Sequence, residues 1–357
     1  MKSYKRWFYI TLILIMLPLL GMGGFNYYID PLWCFSHSNQ YNSIQMPFDE
    51  RQQKTNQVRF VPFDYDTLLL GSSRVTYINQ NDFIGHKTYN YAVSLMDLKD
   101  YYDFIEHAKA RHGGEFDCII LGLDFYTTNR NMTDSNAKPA RFYIKRSGEL
   151  AYRYKTLLSR EVFNYSRKNY ENSIQGVPLD YAYDRSNIKT LQWVSPEAKA
   201  GKIKANLDKY HNVVYAHYAY DDVRGIMERI KRANPHTRFI VFTTPESWPL
   251  FKVMVADGLF PYYQQWLTDN VEVFGAVYNF DYPNAITVNL DNYYDASHIY
   301  PGTGTRLAHR LVGYPDPKLP LDFGVLVTRD NLAHHLEMVQ KRIDEQERRG
   351  EAGAARP

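Results

Sequence analysis

Short apolar runs separated by helical patterns constrain this chain more than any other feature. Asp66 to Leu70, Thr88 to Val93 and Cys118 to Leu123 read as buried strands, with a helix from Leu98 to Lys109 between the last two. A parallel sheet covered by helices on both faces produces this alternation, so an α/β fold is expected: three layers, α/β/α, around a mostly parallel sheet. After Asp124 the rhythm stops. From about Tyr126 to Val213 the chain is polar and aromatic, with helical periodicity only near Leu150 to Leu158 and Lys199 to Tyr210. A stretch that long reads as an inserted cap or binding region rather than as one loop. The pattern resumes with an amphipathic helix over Asp221 to Arg232 and a strand over Thr237 to Phe242. A largely helical Tyr262 to Val277 follows, then Ala285 to Leu290 as the last strand and a helix over Arg306 to Leu311.

The N-terminus sets the location. Trp7 to Phe25 is an uncharged run, broken only by Pro18 and glycines near its end, and preceded by Lys2, Lys5 and Arg6. About 20 residues at 1.5 Å each can cross the hydrocarbon core. Basic residues ahead of the run favour a cytoplasmic N-terminus, which places the remainder on the far side as a single-pass, extracytoplasmic domain. A cleaved signal peptide and a buried helix are the competing readings, and the absence of a clear small-x-small cleavage site favours the anchor. The expected organisation is a stub and anchor over 1–25, a juxtamembrane segment over 26–64, a main domain over 65–315 with its insertion at 126–213, and a C-terminal extension over 316–357. Within that extension, Leu332 to Arg348 reads as a charged helix and Glu351 to Pro357 as a frayed tail.

A net charge of +3 with no dense basic patch beyond the N-terminus argues against a nucleic-acid partner. Two cysteines, Cys34 and Cys118, indicate neither a disulfide scaffold nor a thiolate metal site. His334 and His335 are adjacent and cannot share the one-face geometry of a metal motif, so no metal and no cofactor is expected. The chain has 31 tyrosines, which suit either a sugar-stacking surface or a tyrosine-rich core with a membrane-facing collar.

Two sites carry the candidate chemistry. Gly71-Ser72-Ser73-Arg74 follows the first strand, at a turn that exposes a hydroxyl near backbone amides. Asp295-Ala296-Ser297-His298 stands near the end of the α/β pattern, spaced so that an imidazole and a carboxylate share one side of a turn. Taken singly, each also fits an ordinary turn or helix cap. Taken together, at the carboxyl ends of strands where ligands of open α/β sheets sit, they suggest a nucleophile, a base and an orienting acid.

With Asn90-Tyr91-Ala92-Val93-Ser94 after the second strand and Gly122-Leu123-Asp124 after the third, these blocks resemble those of the SGNH/GDSL hydrolase superfamily. The nearest in style are its membrane-anchored, extracytoplasmic members of the DltD type and those acting in polysaccharide O-acetylation. Asn26-Tyr27-Tyr28-Ile29-Asp30-Pro31, just beyond the anchor, is similar to that group as well. The resemblance implies Ser73 as nucleophile, His298 as base and Asp295 as its partner, with Ser72, where the family commonly has aspartate, as a lesser nucleophile candidate. It implies oxyanion support from the region of Arg74, Ser94, Leu95 and Asp124. Two departures stand out: Leu95 replaces a glycine, and Asp124 replaces an asparagine whose amide would face the oxyanion. A carboxylate there would repel the developing charge, so Asp124 is expected to be protonated or to pair with Arg74, unless the oxyanion hole is built differently. The implied activity is acyl transfer to or from a cell-envelope polysaccharide, served by a membrane-embedded acyl-donor protein. A carbohydrate or lipid esterase and a non-catalytic glycan-binding or assembly protein are the alternatives.

Overall fold

The computed structural model describes residues 2–132, 137–176 and 179–354. In chain order, α1 (Lys2–Ile29) and α2 (Glu50–Phe60) precede β1 (Thr67–Leu70), β2 (Thr88–Asn90), α3 (Leu98–His112) and β3 (Cys118–Leu123). Then come α4 (Ala140–Ser147), α5 (Tyr152–Lys155), α6 (Arg160–Gln175), β4 (Tyr181–Tyr183), β5 (Lys189–Leu191) and α7 (Pro196–Lys209). The chain finishes with α8 (Arg224–Arg232), β6 (Arg238–Thr243), α9 (Trp248–Ala256), α10 (Phe260–Phe274), β7 (Ala276–Asn279), α11 (Pro301–Val312), β8 (Val325–Thr328) and α12 (Leu332–Ala354). These elements gather into two units, one of residues up to Phe63 with Lys138–Gln192, the other of Asp64–Ala137 with the chain from Trp193 onward.

The second unit is α/β. Its six-stranded sheet runs β2-β1-β3-β6-β7-β8, parallel throughout except for β8, which lies antiparallel to β7. β1 and β3 are buried along their whole length, as strands covered on both faces must be, which is why they read as unbroken apolar runs. Leu69, Ile120, Ile240, Phe242 and Phe280 meet Val75, Ile299 and Leu307 in the main core. Much of the tyrosine goes inside: Tyr89, Tyr91, Tyr263 and Tyr293 are fully buried, and Tyr101 donates from its hydroxyl to Gly122 O at 2.6 Å.

Several elements differ from the sequence reading. Ala285 to Leu290 is not a strand. Asn284 Oδ1 accepts from the amides of Ile286 and Thr287, and Thr287 Oγ1 accepts from Asn284 N, so side chains capture the backbone that a ladder would need. The strand in that place is β7, at the end of what reads as helix, where Gly275 at φ 87 closes α10. The C-terminal extension also contributes structure. β8 completes the sheet, and buried His335 of α12 accepts from Asn279 Nδ2 at 2.9 Å. α12 continues to Ala354, beyond the expected start of a frayed tail, and 355–357 lie outside the described residues. α11 begins ahead of the expected start at Arg306, with Pro301 as its first helical residue, as a fixed φ and missing amide allow.

The first unit is built around a polar helix. In α2, Glu50 to Asn56 are all buried, although the sequence is among the most hydrophilic in the chain. Its side chains serve as backbone partners: Gln53 Nε2 donates to Pro31 O and Met46 O at 2.8 and 2.9 Å, and Asn56 Nδ2 donates to Leu32 O at 2.9 Å. Burial holds the Lys54 ammonium at about 7, against the opposing pull of Glu50. The Asn26 to Pro31 block is fixed here too. Asp30 accepts from Cys34 N and Phe35 N and pairs with Arg185 at 2.7 Å, tying the chain that leaves α1 to the β4–β5 connection. α1 is long and apolar enough to span a membrane, with a mean hydropathy of 2.1 over its most apolar window, and most of that stretch is unburied.

Candidate functional site

The two sequence signals meet. Ser73 Oγ lies 2.9 Å from His298 Nε2, and His298 Nδ1 lies 2.7 Å from Asp295 Oδ2. All three residues belong to the second unit.

Local packing explains where Ser73 stands. β1 ends at Leu70, and the chain turns through Gly71 into a 3-10 turn, Val75–Tyr77. A Cβ on Gly71 would overlap Val75 Cγ2, and one on Gly122 would come within 2.5 Å of the same methyl, so both glycines are required by close approach. Asn90 Nδ2 donates to Val75 O and Ile78 O at 3.0 Å each, pinning the turn to the end of β2. Although β2 stops at Asn90, Val93 N still donates to Gly71 O, bringing Ser94 and Leu95 alongside the Ser73 turn. Ser72 is fully buried and its hydroxyl accepts from Arg74 N, whereas Ser73 remains partly open and faces the imidazole.

His298 is set by a pinched loop. Tyr293 and Ile299 form an isolated antiparallel bridge, and Tyr294 N donates to His298 O at 2.8 Å, closing a tight turn across Asp295 to Ser297. Asp295 Oδ1 accepts from Ser297 N at 2.7 Å and His298 N at 2.9 Å, leaving Oδ2 for the imidazole. Burial alone would raise the Asp295 pKa, but the His298 charge and these hydrogen bonds hold it at about 2. A carboxylate at Nδ1 places the ring proton there and leaves the Nε2 lone pair toward Ser73. The Tyr77 ring meets the imidazole edge-on at 5.3 Å, and Ser247 Oγ donates to Ala296 O at 2.8 Å, anchoring the loop from behind.

Arg74 does pair with Asp124, at 3.2 Å, but the pair is part of a larger network. The guanidinium also meets Glu246 Oε1 at 2.6 Å, donates to Thr244 Oγ1 and to Tyr210 OH, and lies 5.0 Å from the Tyr126 ring centroid. Thr244 donates to Asp124 as well, and Glu246 N donates to Asp281 Oδ1. Asp124 and Glu246 thus place two buried carboxyls on one guanidinium, with a third, Asp281, held on the Glu246 amide, each just past the carboxyl end of a parallel strand. Burial pushes Glu246 upward against the pull of Arg74; burial and then the Glu246 charge push Asp281 well above the usual carboxylate range. Asp124 is therefore turned into this network rather than serving as the asparagine of the resembled block does. Among the described residues the Ser73 amide donates no hydrogen bond, which leaves it available to a ligand oxygen. Leu95 sits at φ 55, so the chain keeps the left-handed turn that a glycine would take there at lower cost.

Sequence reasoning missed Ser297, Asn90, Glu246 and Asp281. Ser297 and Asn90 lie within the Asp295–His298 and Asn90–Ser94 blocks, where nothing in the residue order marks their roles. Glu246 follows the strand legible at Thr237 to Phe242, and that position is its one signal; Asp281 follows β7, which the sequence hides, so it carries none. Comparison with family models, with curated proteins and with solved structures finds no match to this chain.

Proposed function

We propose that this chain is an SGNH-type serine acyltransferase of the cell envelope, moving an acetyl or similar small acyl group to or from a polysaccharide outside the cytoplasm. The observation that carries this reading is the continuous relay from Ser73 through His298 to Asp295. His298 Nε2 takes the Ser73 proton as Oγ attacks an ester or thioester carbonyl, and Asp295 stabilises the imidazolium. The Ser73 amide donates to the tetrahedral oxyanion. Collapse expels the alcohol or thiol, which takes the proton from His298 and leaves an acyl-serine. A sugar hydroxyl then surrenders its proton to His298 and attacks the acyl carbon, and the proton returns to Ser73. Water as acceptor gives esterase activity at the same site.

Three observations favour a glycan at the membrane. Trp193 is 64% exposed and its ring stacks at 4.4 Å on Tyr300, two residues beyond His298, which suits stacking on a sugar ring. Lys202 Nζ donates to Tyr294 OH on the other flank of Asp295. The apolar α1 supplies a membrane anchor, and the basic residues before it favour a cytoplasmic N-terminus. Acyl donors made in the cytoplasm do not cross unaided, hence the proposed membrane-embedded donor partner. The test is turnover of a chromogenic acetyl ester by the full chain in detergent, compared with Ser73→Ala; equal rates discard Ser73 as nucleophile. Adding an oligosaccharide then separates the outcomes, since acetylated sugar marks a transferase and acetate alone an esterase.

A further inference from the structure

α1 changes character along its length. Leu14, Leu17 and Leu20 are 68%, 67% and 64% exposed, while Asn26 and Ile29 are fully buried within the first unit. The switch falls at Gly23. A Cβ there would lie 3.5 Å from Leu158 Cδ2 and 3.9 Å from Leu157 O, and one turn further on Asn26 Nδ2 donates to Leu157 O at 2.8 Å. The 3-10 turn Thr156–Leu158 therefore runs beside the helix at the level of Gly23. With a rise of 1.5 Å per residue, Gly23 is roughly 24 Å along the helix from Trp7, near the far edge of a hydrocarbon core about 30 Å thick. Whatever lies against Gly23 lies at the headgroup boundary.

The segment at that level has the composition of a membrane-surface element. Leu150, Tyr154 and Leu158 are 87%, 54% and 54% exposed: Leu150 precedes the short α-helical turn Tyr152–Lys155, Tyr154 lies within it, and Leu158 ends the 3-10 turn that follows. Ala151, in the left-handed region at φ 56, turns the chain so that Leu150 stands at the tip. Exposed Lys155 and Arg160 accompany them, with Glu149 and Glu161 as the acidic neighbours. Tyr27 and Tyr28, on the last turn of α1, are 48% and 44% exposed, as interfacial aromatics are. A row of protruding apolar side chains is costly against water and favourable against the acyl boundary, with basic residues for anionic headgroups.

We propose that Leu150 to Arg160 is a second membrane contact, lying on an anionic bilayer surface with Leu150, Tyr154 and Leu158 in the headgroup–acyl boundary and Lys155 and Arg160 on lipid phosphates. The contact rests on α1 being a membrane span and fixes the first unit against the leaflet from which that span emerges. The test uses spin labels on single cysteines introduced at positions 14, 150, 158 and 321 of the full chain, in vesicles of equal parts phosphatidylcholine and phosphatidylglycerol. Native Cys34 and Cys118 are buried, which directs labelling to the new sites, and the label at 321, where Leu321 is 93% exposed, serves as the aqueous reference once its collision rate without vesicles is found unchanged by adding them. Collision of a water-soluble nickel complex with labels at 150 and 158 is expected to be several-fold lower than at 321. Lys155→Glu with Arg160→Glu should raise it at both without changing position 14. Aqueous values at 150 and 158 with position 14 shielded overturn the contact while the span stands. An aqueous value at position 14 overturns the span, and the contact with it.

Discussion

Gly71→Ala tests how tightly the Ser73 turn is held. The new Cβ would overlap Val75 Cγ2 and lie 2.6 Å from Val75 Cβ and 3.2 Å from Cγ1, where carbon atoms prefer about 3.5–4.0 Å. Val75 cannot retreat. It is fully buried, its Cγ2 already fills the notch over Gly122, and its carbonyl is held by Asn90. Overpacking of this kind costs about 1–3 kcal/mol. Because Val75 N is bonded to Ser72 O, relief of the overlap must move the turn that carries Ser73. Displacing Ser73 by about 1 Å would break its 2.9 Å contact with His298, and a loss of roughly 10²-fold in turnover is expected. Val75→Gly removes all three crowded atoms; alone it costs about 3–4 kcal/mol, from a core cavity and added backbone freedom. In the double variant the overlap no longer exists, so its cost falls short of the sum by the overpacking energy, about 1–3 kcal/mol. Urea unfolding of the four proteins, with ester turnover measured in parallel, reads this directly. Costs that add to within about 0.5 kcal/mol would refute the reasoning, as would full activity in Gly71→Ala.

Three further outcomes are expected. Asp295→Asn keeps an oxygen for the amides of Ser297 and His298 but turns an NH2 toward Nδ1, forcing the ring proton onto Nε2. Ester turnover should fall on the order of 10³–10⁴-fold with little change in thermal midpoint. Burial, with the neighbouring His334 charge, holds His335 at about 4, below the ordinary histidine value near 6.5. The folded state then binds fewer protons than the unfolded chain between those values. This contribution is complete above about pH 6.5 and is lost as pH falls toward 4, amounting to about 3 kcal/mol. The urea midpoint should drop from pH 7 to pH 5, and less steeply in His335→Gln. Leu95→Gly removes a left-handed strain of about 1–2 kcal/mol, partly offset by glycine's entropy, and should raise stability by about 0.5–1 kcal/mol in the same urea assay.

The strands of the sheet's centre were legible because burial on both faces writes itself as Thr67 to Leu70 and Cys118 to Leu123 without polar interruption. β7 was hidden, since its four residues continue the apolar pattern of α10 and only Gly275 marks the boundary. α2 was illegible for the opposite reason. Its polar residues suggest water, and only the backbone groups of Pro31, Leu32 and Met46 reveal why they are inside. The Asp295 to His298 spacing announced a paired carboxylate and imidazole, but not Ser297, whose contribution depends on which way its amide points.

The sequence alone determined the apolar N-terminal helix, the α/β rhythm, and the presence of a serine, a histidine and an aspartate after apolar segments, because hydrophobic period and residue chemistry are local properties. Tertiary structure decided which of two adjacent serines faces the imidazole, because burial of Ser72 is fixed by the neighbouring strands. It also decided the direction of Asp124: carboxyls from two separate strand ends meet Arg74, with Asp281 behind them on the Glu246 amide, and a convergence of that kind has no signature along the chain.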